Sequence, residues 1–304
     1  MPNWNKDSLA ADVPCPLCDS GKRRLVVDTV WGAPSSAVYR CTGCGLVFLY
    51  PIMTRRQEKS FYEAEFSRYM KNRGAPGETA PNEHFQKNQA EAARRLVNLK
   101  PLLAPHMRVL EIGSSTGFLL HILRPHVSSV TGIEPNRLYA AYARSRGLET
   151  HPELSEVNGL KYDLILAYYV LEHLRNPVGY LERLRSSLNA GGVLALEVPN
   201  VDDALVSLYQ LESFDRFYWQ KAHYFYYSQR TLLTVMERAG FGAIEMIPEH
   251  RYDFSNHIHW LMKSEPGGMG KYSHIFDPDF DRSYADRLKK HWVCDTVFAV
   301  ARVE

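Results

Sequence analysis

The sequence predicts an α/β fold: a mostly parallel sheet with helices on both faces, preceded by a small metal-stapled unit. Three observations lead there. From residue 107 onward, apolar strand runs alternate with helix-length segments, as in βα units. Four of the five cysteines form two C-x2-C pairs with 22 residues between them. The chain has 304 residues, 45% of them hydrophobic and 23% charged, which is enough for a full core and ordinary for a globular protein.

The N-terminal unit spans 1–52. Cys15-Pro-Leu-Cys18 and Cys41-Thr-Gly-Cys44 read as knuckles, with short strands at Arg24–Asp28 and Ala37–Arg40 and an apolar run at Leu46–Tyr50. So few residues bury little core, and four thiolates at this spacing make a closed tetrahedral site for a structural Zn2+. Residues 53–100 read as a helical linker or lid. It opens with a helix over 55–74 whose aromatics Phe61, Tyr62, Phe66 and Tyr69 are expected to be exposed. A hinge at Gly74–Pro81 follows, then an amphipathic helix over 83–100 that includes Val97 and ends before Pro101.

In the main unit, 101–304, strands are expected at 107–112, 127–133, 162–167, 193–198, 243–247 and 293–302. Helices are expected at 117–123, 136–146, 177–188 and 230–239. Residues 248–292 break the alternation and read as a long insertion. Cys294 falls in a strand pattern and reads as a buried apolar residue rather than a nucleophile.

Charge and segment composition exclude several classes. Lys and Arg number 36 and Asp and Glu 34, a net charge of +2, without the basic face of a duplex binder. No apolar run reaches the roughly 20 residues of a membrane span, and residues 1–14 lack the apolar core of an export signal. The expected location is therefore cytoplasmic, where disulfides are disfavoured and the cysteine pairs read as metal ligands.

The chemistry-bearing segment is Glu111-Ile-Gly113-Ser-Ser115-Thr-Gly117-Phe118, where a strand enters a Gly-rich turn that opens a helix. Such a turn brings backbone N–H groups close to a ligand. The next strand ends in Glu134-Pro135, 21 residues after Gly113, and a carboxylate there can accept both ribose hydroxyls of a nucleoside. The turn lacks the G-x-G-x-x-G of a dinucleotide site. Ser115 stands at its middle and is expected to keep a negative φ, as side chains prefer.

E-x-G-x-x-x-G after a strand, with an acid ending the next, resembles motif I and its partner in class I S-adenosylmethionine-dependent methyltransferases. Tyr162–Leu174 resembles that family's fourth strand and following loop. Leu188–Pro199 resembles the turn into its fifth strand, and Leu232–Phe241 its last helix. The resemblance implies a Rossmann-like sheet, mostly parallel with the last strand antiparallel. It implies S-adenosylmethionine held by Glu111, Gly113, Ser115, Gly117, Phe118, Glu134, Pro135 and the backbone of Ala167 and Tyr168.

A zinc ribbon fused to this fold resembles a narrower group, which methylates sugars, often nucleotide-linked. Sugar C-methyltransferases there carry Glu-His-x-x-Tyr-Phe-Ser, and this chain reads Ala222-His223-Tyr-Phe-Tyr226-Tyr-Ser228. The Glu position is Ala222, so a carboxylate for removing a carbon-bound proton is missing. O-methylation needs less, and a neutral His suffices as base. His223 and His257 are the expected bases, with Tyr226 and Asn256 orienting the acceptor. His173, next to Glu172 beyond the fourth strand, is expected to face the same cleft. The expected activity is O-methylation of a sugar or nucleotide-linked glycan precursor, with nucleic acid disfavoured. The alternatives are C- or N-methylation of a related small molecule, an RNA methyltransferase using the ribbon as a clamp, and a non-catalytic cofactor-binding scaffold.

Overall fold

The computed structural model describes residues 13–66, 68–69 and 80–303. Three strands, β1 (Arg23–Val27), β2 (Ala37–Cys41) and β3 (Val47–Tyr50), form an antiparallel meander at the N-terminus. A helix α1 (Arg55–Ser60) follows, opened by a Thr54 capping box, and a wider helical turn continues it over Phe61–Glu65. Here the structure corrects an expectation. Phe61 and Tyr69 are buried, at 1% and 9% exposure, and pack with Ala222; only Tyr62 of the four is exposed. Burying a ring of this size against the core is worth more than a few exposed helical turns. All but residues 80 and 81 of the expected hinge, together with residues 1–12, lie outside the described residues.

The amphipathic segment divides at Asn88 into α2 (Pro81–Lys87) and α3 (Gln89–Leu99). Ala92, Arg95, Leu96 and Leu99 form the buried stripe of α3, whereas Val97 is 65% exposed. The alternation then runs β4 (Arg108–Ile112), α4 (Phe118–Leu123), β5 (Ser129–Ile133), α5 (Arg137–Ser145), β6 (Glu149–His151), β7 (Tyr162–Tyr168), α6 (Pro177–Ser186) and β8 (Leu188–Pro199). After two short helices, α7 (Ala204–Ser207) and α8 (Glu212–Tyr218), come strand β9 (Phe225–Tyr226), α9 (Gln229–Arg238) and β10 (Gly242–Glu249). The expected long loop at 248–292 holds α10 (Phe254–Lys263) and α11 (Pro278–Lys290), each opened by an Asp N-cap, and β11 (Thr296–Arg302) ends the chain.

The seven-stranded sheet has the order β10-β11-β8-β7-β4-β5-β6. Strands β6, β5, β4, β7 and β8 are parallel, while β11 runs antiparallel between β8 and β10. Successive strand residues alternate between two apolar layers, as the two-residue period requires. Ile165 and Ala167 of β7 face α6 and α9; Leu164, Leu166 and Tyr168 face α3 and α4. Cys294 is buried with Ala204 and Leu288 as expected, but it lies in the bend just before β11 and not in the strand.

Strand pairing and a shared apolar core join the N-terminal sheet to the rest of the fold. Strand β9 pairs with β3 and becomes the fourth strand of the N-terminal sheet. Backbone bonds extend the seam on both sides. Trp31 N–H donates to the Trp219 carbonyl at 2.8 Å, Lys221 N–H to the Trp31 carbonyl at 2.9 Å, and Leu49 N–H to the Tyr224 carbonyl at 2.9 Å.

Candidate active site

Three alternate residues of the turn after β4 lie in the left-handed region of backbone space. Gly113, Ser115 and Gly117 have φ of +71°, +52° and +74°. A Cβ on Gly117 would lie 2.5 Å from Leu148, so glycine is needed there for space as well as for conformation. Ser115 departs from the negative φ expected of it. A side chain in this region costs about 1–2 kcal/mol. The local hydrogen bonds hold it: Ser115 N–H donates to Glu134 Oε2 at 2.7 Å, and Gly117 N–H to the Ser114 carbonyl at 2.8 Å. Relieving the strain by Ser115→Gly is expected to leave stability unchanged or raise it by up to about 1 kcal/mol, after the added freedom of the unfolded chain is deducted. Ser115→Val, β-branched, is expected to lower it. A chemical-denaturation series reads both, and a Gly variant clearly weaker than the parent would remove the strain argument.

Glu134 ends β5 as expected, and it is 8% exposed. Its second oxygen accepts the Asn136 N–H at 2.6 Å. Burial raises its pKa, and the two backbone donors oppose that. Each oxygen keeps a lone pair for a further donor, as a ribose diol requires. Around the turn, Glu111 Oε2, Ser114 Oγ and the Tyr168 hydroxyl are buried without a hydrogen-bond partner. Burial pushes the Glu111 carboxyl up to about 8. Orphaned polar atoms cost about 1–3 kcal/mol each. Grouped beside a turn of this shape, they fit a polar ligand such as the methionine and ribose of S-adenosylmethionine. Ala167 and Tyr168 are buried at the tip of β7, Phe118 is buried at the start of α4, and Pro135 is exposed next to Glu134.

Two side chains at this turn carry no motif signal, because α2 and α3 reach it only through the tertiary fold. His84 of α2 places Nδ1 3.1 Å from Thr116 Oγ1 and packs its ring on Tyr139 at 4.7 Å. Arg95 of α3 is 7% exposed, and its guanidinium lies 4.2 Å from the Tyr168 ring centre. Its Nε donates to Glu91 at 3.1 Å. Alongside it, Arg94 grips Glu197 of β8 with two bonds of 2.9 and 2.7 Å and Glu91 with two more, fastening α3 to the end of the sheet.

On the other side of the β7 tip, a second group converges. Glu172 is 1% exposed, and neither carboxylate oxygen has a hydrogen-bond partner; burial pushes it up to about 8. His173 Nε2 lies 3.9 Å from Glu172 Oε1, while its Nδ1 donates to the Ala222 carbonyl at 2.8 Å. Burial pushes His173 down to about 4, so the ring is neutral near pH 7. The His223 and His173 rings meet edge to face at 4.8 Å. Ligand-type atoms of Glu172, His173 and His223 all lie within 4.8 Å of one another. The Tyr62 hydroxyl stands 3.4 Å from His173 Nδ1.

Tyr226 is 1% exposed, and its hydroxyl is engaged by the backbone of Gln220, accepting from N–H at 2.8 Å and donating to the carbonyl at 3.2 Å. It braces the turn that carries His223. His257 and Asn256 are buried in the first turns of α10. His257 Nδ1 bonds the Tyr284 hydroxyl at 2.7 Å, and its ring packs on His250, Tyr209 and Tyr284. No hydrogen bond or ring contact joins it to His223 among the described residues.

Burial pushes His257 down to about 3. Its folded pKa lies below the unfolded value of about 6.5, so the neutral ring's stability is fully present above pH 6.5 and lost as pH falls toward 3, at about 1.4 kcal/mol per unit. Replacing His257 with Gln is expected to flatten that part of a stability-against-pH curve. An unchanged slope between pH 6 and 4 would remove His257 from the acid response.

The four knuckle cysteines cluster within 4.8 Å. Cys15 Sγ and Cys44 Sγ are 3.6 Å apart, and Cys18 Sγ and Cys41 Sγ 3.5 Å. Backbone N–H groups of Leu17 and Gly43 point at Cys15 and Cys41 sulfur, at 3.5 and 3.3 Å, as they do around a thiolate knuckle. The donor set fits a tetrahedral Zn2+.

Residues 84–245 match the family model described as a methyltransferase domain, just over half of the chain. The chain belongs to this methyltransferase family. It is an S-adenosylmethionine-dependent methyltransferase. Among curated relatives, the methyltransferase is 27% identical over 173 residues to tRNA U34 carboxymethyltransferase of Vibrio cholerae serotype O1, covering 52% of this chain and 51% of the relative. The Aliivibrio fischeri enzyme of the same name is 27% identical over 172 residues, covering 51% and 50%. The chain thus spans about half the length of the curated relatives it matches. Among solved structures, an S-adenosylmethionine-dependent methyltransferase from Archaeoglobus fulgidus superposes with a TM-score of 0.50 at 17% identity, over 72% of this chain and 96% of that one. That likeness shows the shared fold. No described helix is long and apolar enough to cross a membrane.

Proposed function

We propose that this methyltransferase transfers a methyl group to a hydroxyl of a small polyol acceptor, of the sugar or nucleotide-linked sugar class. The observation that carries the reading is the convergence of Glu172, His173 and His223 just beyond the tip of β7, the strand whose end lies at the cofactor turn. A hydroxyl oxygen becomes nucleophilic as it loses its proton, and this cluster is the polar group placed to promote that loss. When bound, the cofactor supplies an electrophilic methyl on a sulfonium. The chain's own part is orientation: Glu134 fixes the ribose, the β7 tip and α3 flank the methionine, and Tyr62 with the two imidazoles binds acceptor hydroxyls. Positioning of this kind accounts for much of the rate in a one-step transfer.

The ribbon supports a small acceptor over RNA. Its third strand is hydrogen-bonded to β9, so the ribbon braces the acceptor site. Arg94, Arg175 and Arg251 near the site are each paired with a carboxylate, which leaves little charge for a phosphate backbone. The RNA reading rests on the tRNA-modifying relatives, whose match covers half of either chain. Incubation with methyl-labelled S-adenosylmethionine and host extract separates the two. Label in nucleotide-sugars or soluble glycan supports the proposal; label in RNA overturns it. His223→Ala is expected to lower turnover on the labelled acceptor by about 100-fold or more. Cofactor affinity should stay within about threefold. Full activity would move the chemistry away from this cluster.

A further inference from the structure

We infer that Glu172, His173 and His223 form a binding site for a divalent transition-metal ion, separate from the four-cysteine site. Two imidazoles and one carboxylate are a donor set that takes Zn2+, Mn2+ or Fe2+ and leaves coordination positions open. Three independent features of the geometry support it.

The first is the carboxylate. Glu172 is 1% exposed and both its oxygens lack a partner, yet its backbone is well satisfied, with the Glu172 carbonyl accepting Tyr224 N–H at 2.8 Å. A buried carboxylate is ordinarily paired or coordinates a metal. The second is the orientation of the imidazoles. His173 donates Nδ1–H to the Ala222 carbonyl, which leaves Nε2 directed toward Glu172. Metal-binding histidines ordinarily donate their other ring N–H to a carbonyl or carboxylate, as His173 does here. Gln220 Nε2, an amide donor, lies 3.0 Å from His223 Nε2 and 3.4 Å from Nδ1. The third is the span. The three ligand atoms lie within 4.8 Å of one another. Bonds of about 2.1 Å in a tetrahedral site place ligand atoms about 3.4 Å apart, so the pocket closes by side-chain rotation of about 1 Å. His173 and His223 are partly exposed, which leaves an entry path.

The role of the ion rests on the function proposed above; its binding does not. An open position takes the acceptor hydroxyl oxygen and lowers its pKa, so that the proton leaves to water while the oxygen bonds the methyl carbon and the carbon–sulfur bond breaks.

The test needs no acceptor. The full chain is saturated with Zn2+, desalted and analysed for metal. Two equivalents are expected for the parent and one for Glu172→Gln and His223→Gln. The retained equivalent shows that the ribbon still folds. Co2+ titration of the unaltered protein gives a second reading that does not depend on any variant. One equivalent carries intense sulfur-to-cobalt charge transfer, and the second adds weak ligand-field bands without it. Saturation at one equivalent with the thiolate spectrum alone overturns the site, as do two equivalents that survive both substitutions. Methyl transfer that persists after the second equivalent is stripped removes the metal from the reaction and leaves the proposed methylation standing. A second equivalent in a protein that labels no acceptor keeps the site and overturns that methylation.

Discussion

Glu134→Ala is expected to weaken S-adenosylmethionine binding by about 30-fold or more, measured by isothermal titration. Two hydrogen bonds from ribose hydroxyls to a carboxylate are worth about 1.5–3 kcal/mol each in the buried limit, and 1.4 kcal/mol is a factor of ten. The side chain has a second task, since its oxygens also accept the Ser115 and Asn136 N–H groups at 2.7 and 2.6 Å. Removing it leaves Ser115, already at φ +52°, without the bond that fixes its conformation. The loss should therefore exceed that of a pure contact deletion, and Glu134→Gln, which keeps one acceptor oxygen, should fall between parent and Ala. Equal affinity in Ala and parent would take Glu134 out of the cofactor site.

The candidate cofactor turn was legible as a turn because its sequence signals are local. One turn and one strand end supply Gly113, Ser115, Gly117 and Glu134, and a strand–turn–helix order shows in apolar periodicity. The conformation of Ser115 was not legible: residue type argued for negative φ, and the Glu134 bond that overrides it joins two strands. His84 and Arg95 were invisible for the same reason, since nothing in their own helices marks the side that meets the β4 turn. Phe61 and Tyr69 looked exposed because a short charged helix surrounds them, and their partner Ala222 lies far along the chain. The 248–292 segment hid two helices because its Gly and Pro residues obscured the apolar stripe of α10. The acceptor side shows the sharpest contrast. The carboxylate that the resemblance led one to look for at position 222 is absent there, and the fold brings Glu172 beside His223 from the loop after β7.

The ribbon carries the other large prediction. Cys41→Ser, at a position 1% exposed in the knuckle, is expected to lose the four-thiolate metal and to lower methyl transfer by about 100-fold or more. Binding of S-adenosylmethionine should weaken far less. Strands β2 and β3 pack into the same apolar core as β9, and the two knuckles at their edge are what a bound metal would hold together. Strand β3 pairs with β9 through Val47 and Tyr226 and through Phe48 and Phe225, and β9 begins two residues after His223. The seam also includes the Trp31 bonds to Trp219 and Lys221, which bracket Gln220, the residue that contacts the His223 ring. Loss of the metal thus releases the segment that places His223, whereas the β4 turn and Glu134 belong to the far half of the seven-stranded sheet and keep their own contacts. Metal content, cofactor titration and methyl transfer measured on one preparation separate the possibilities. Transfer at the parental rate in metal-free Cys41→Ser protein would make the ribbon dispensable for the acceptor site. Cofactor affinity falling in step with transfer would mean that the ribbon stabilises the whole sheet domain instead of the His223 segment.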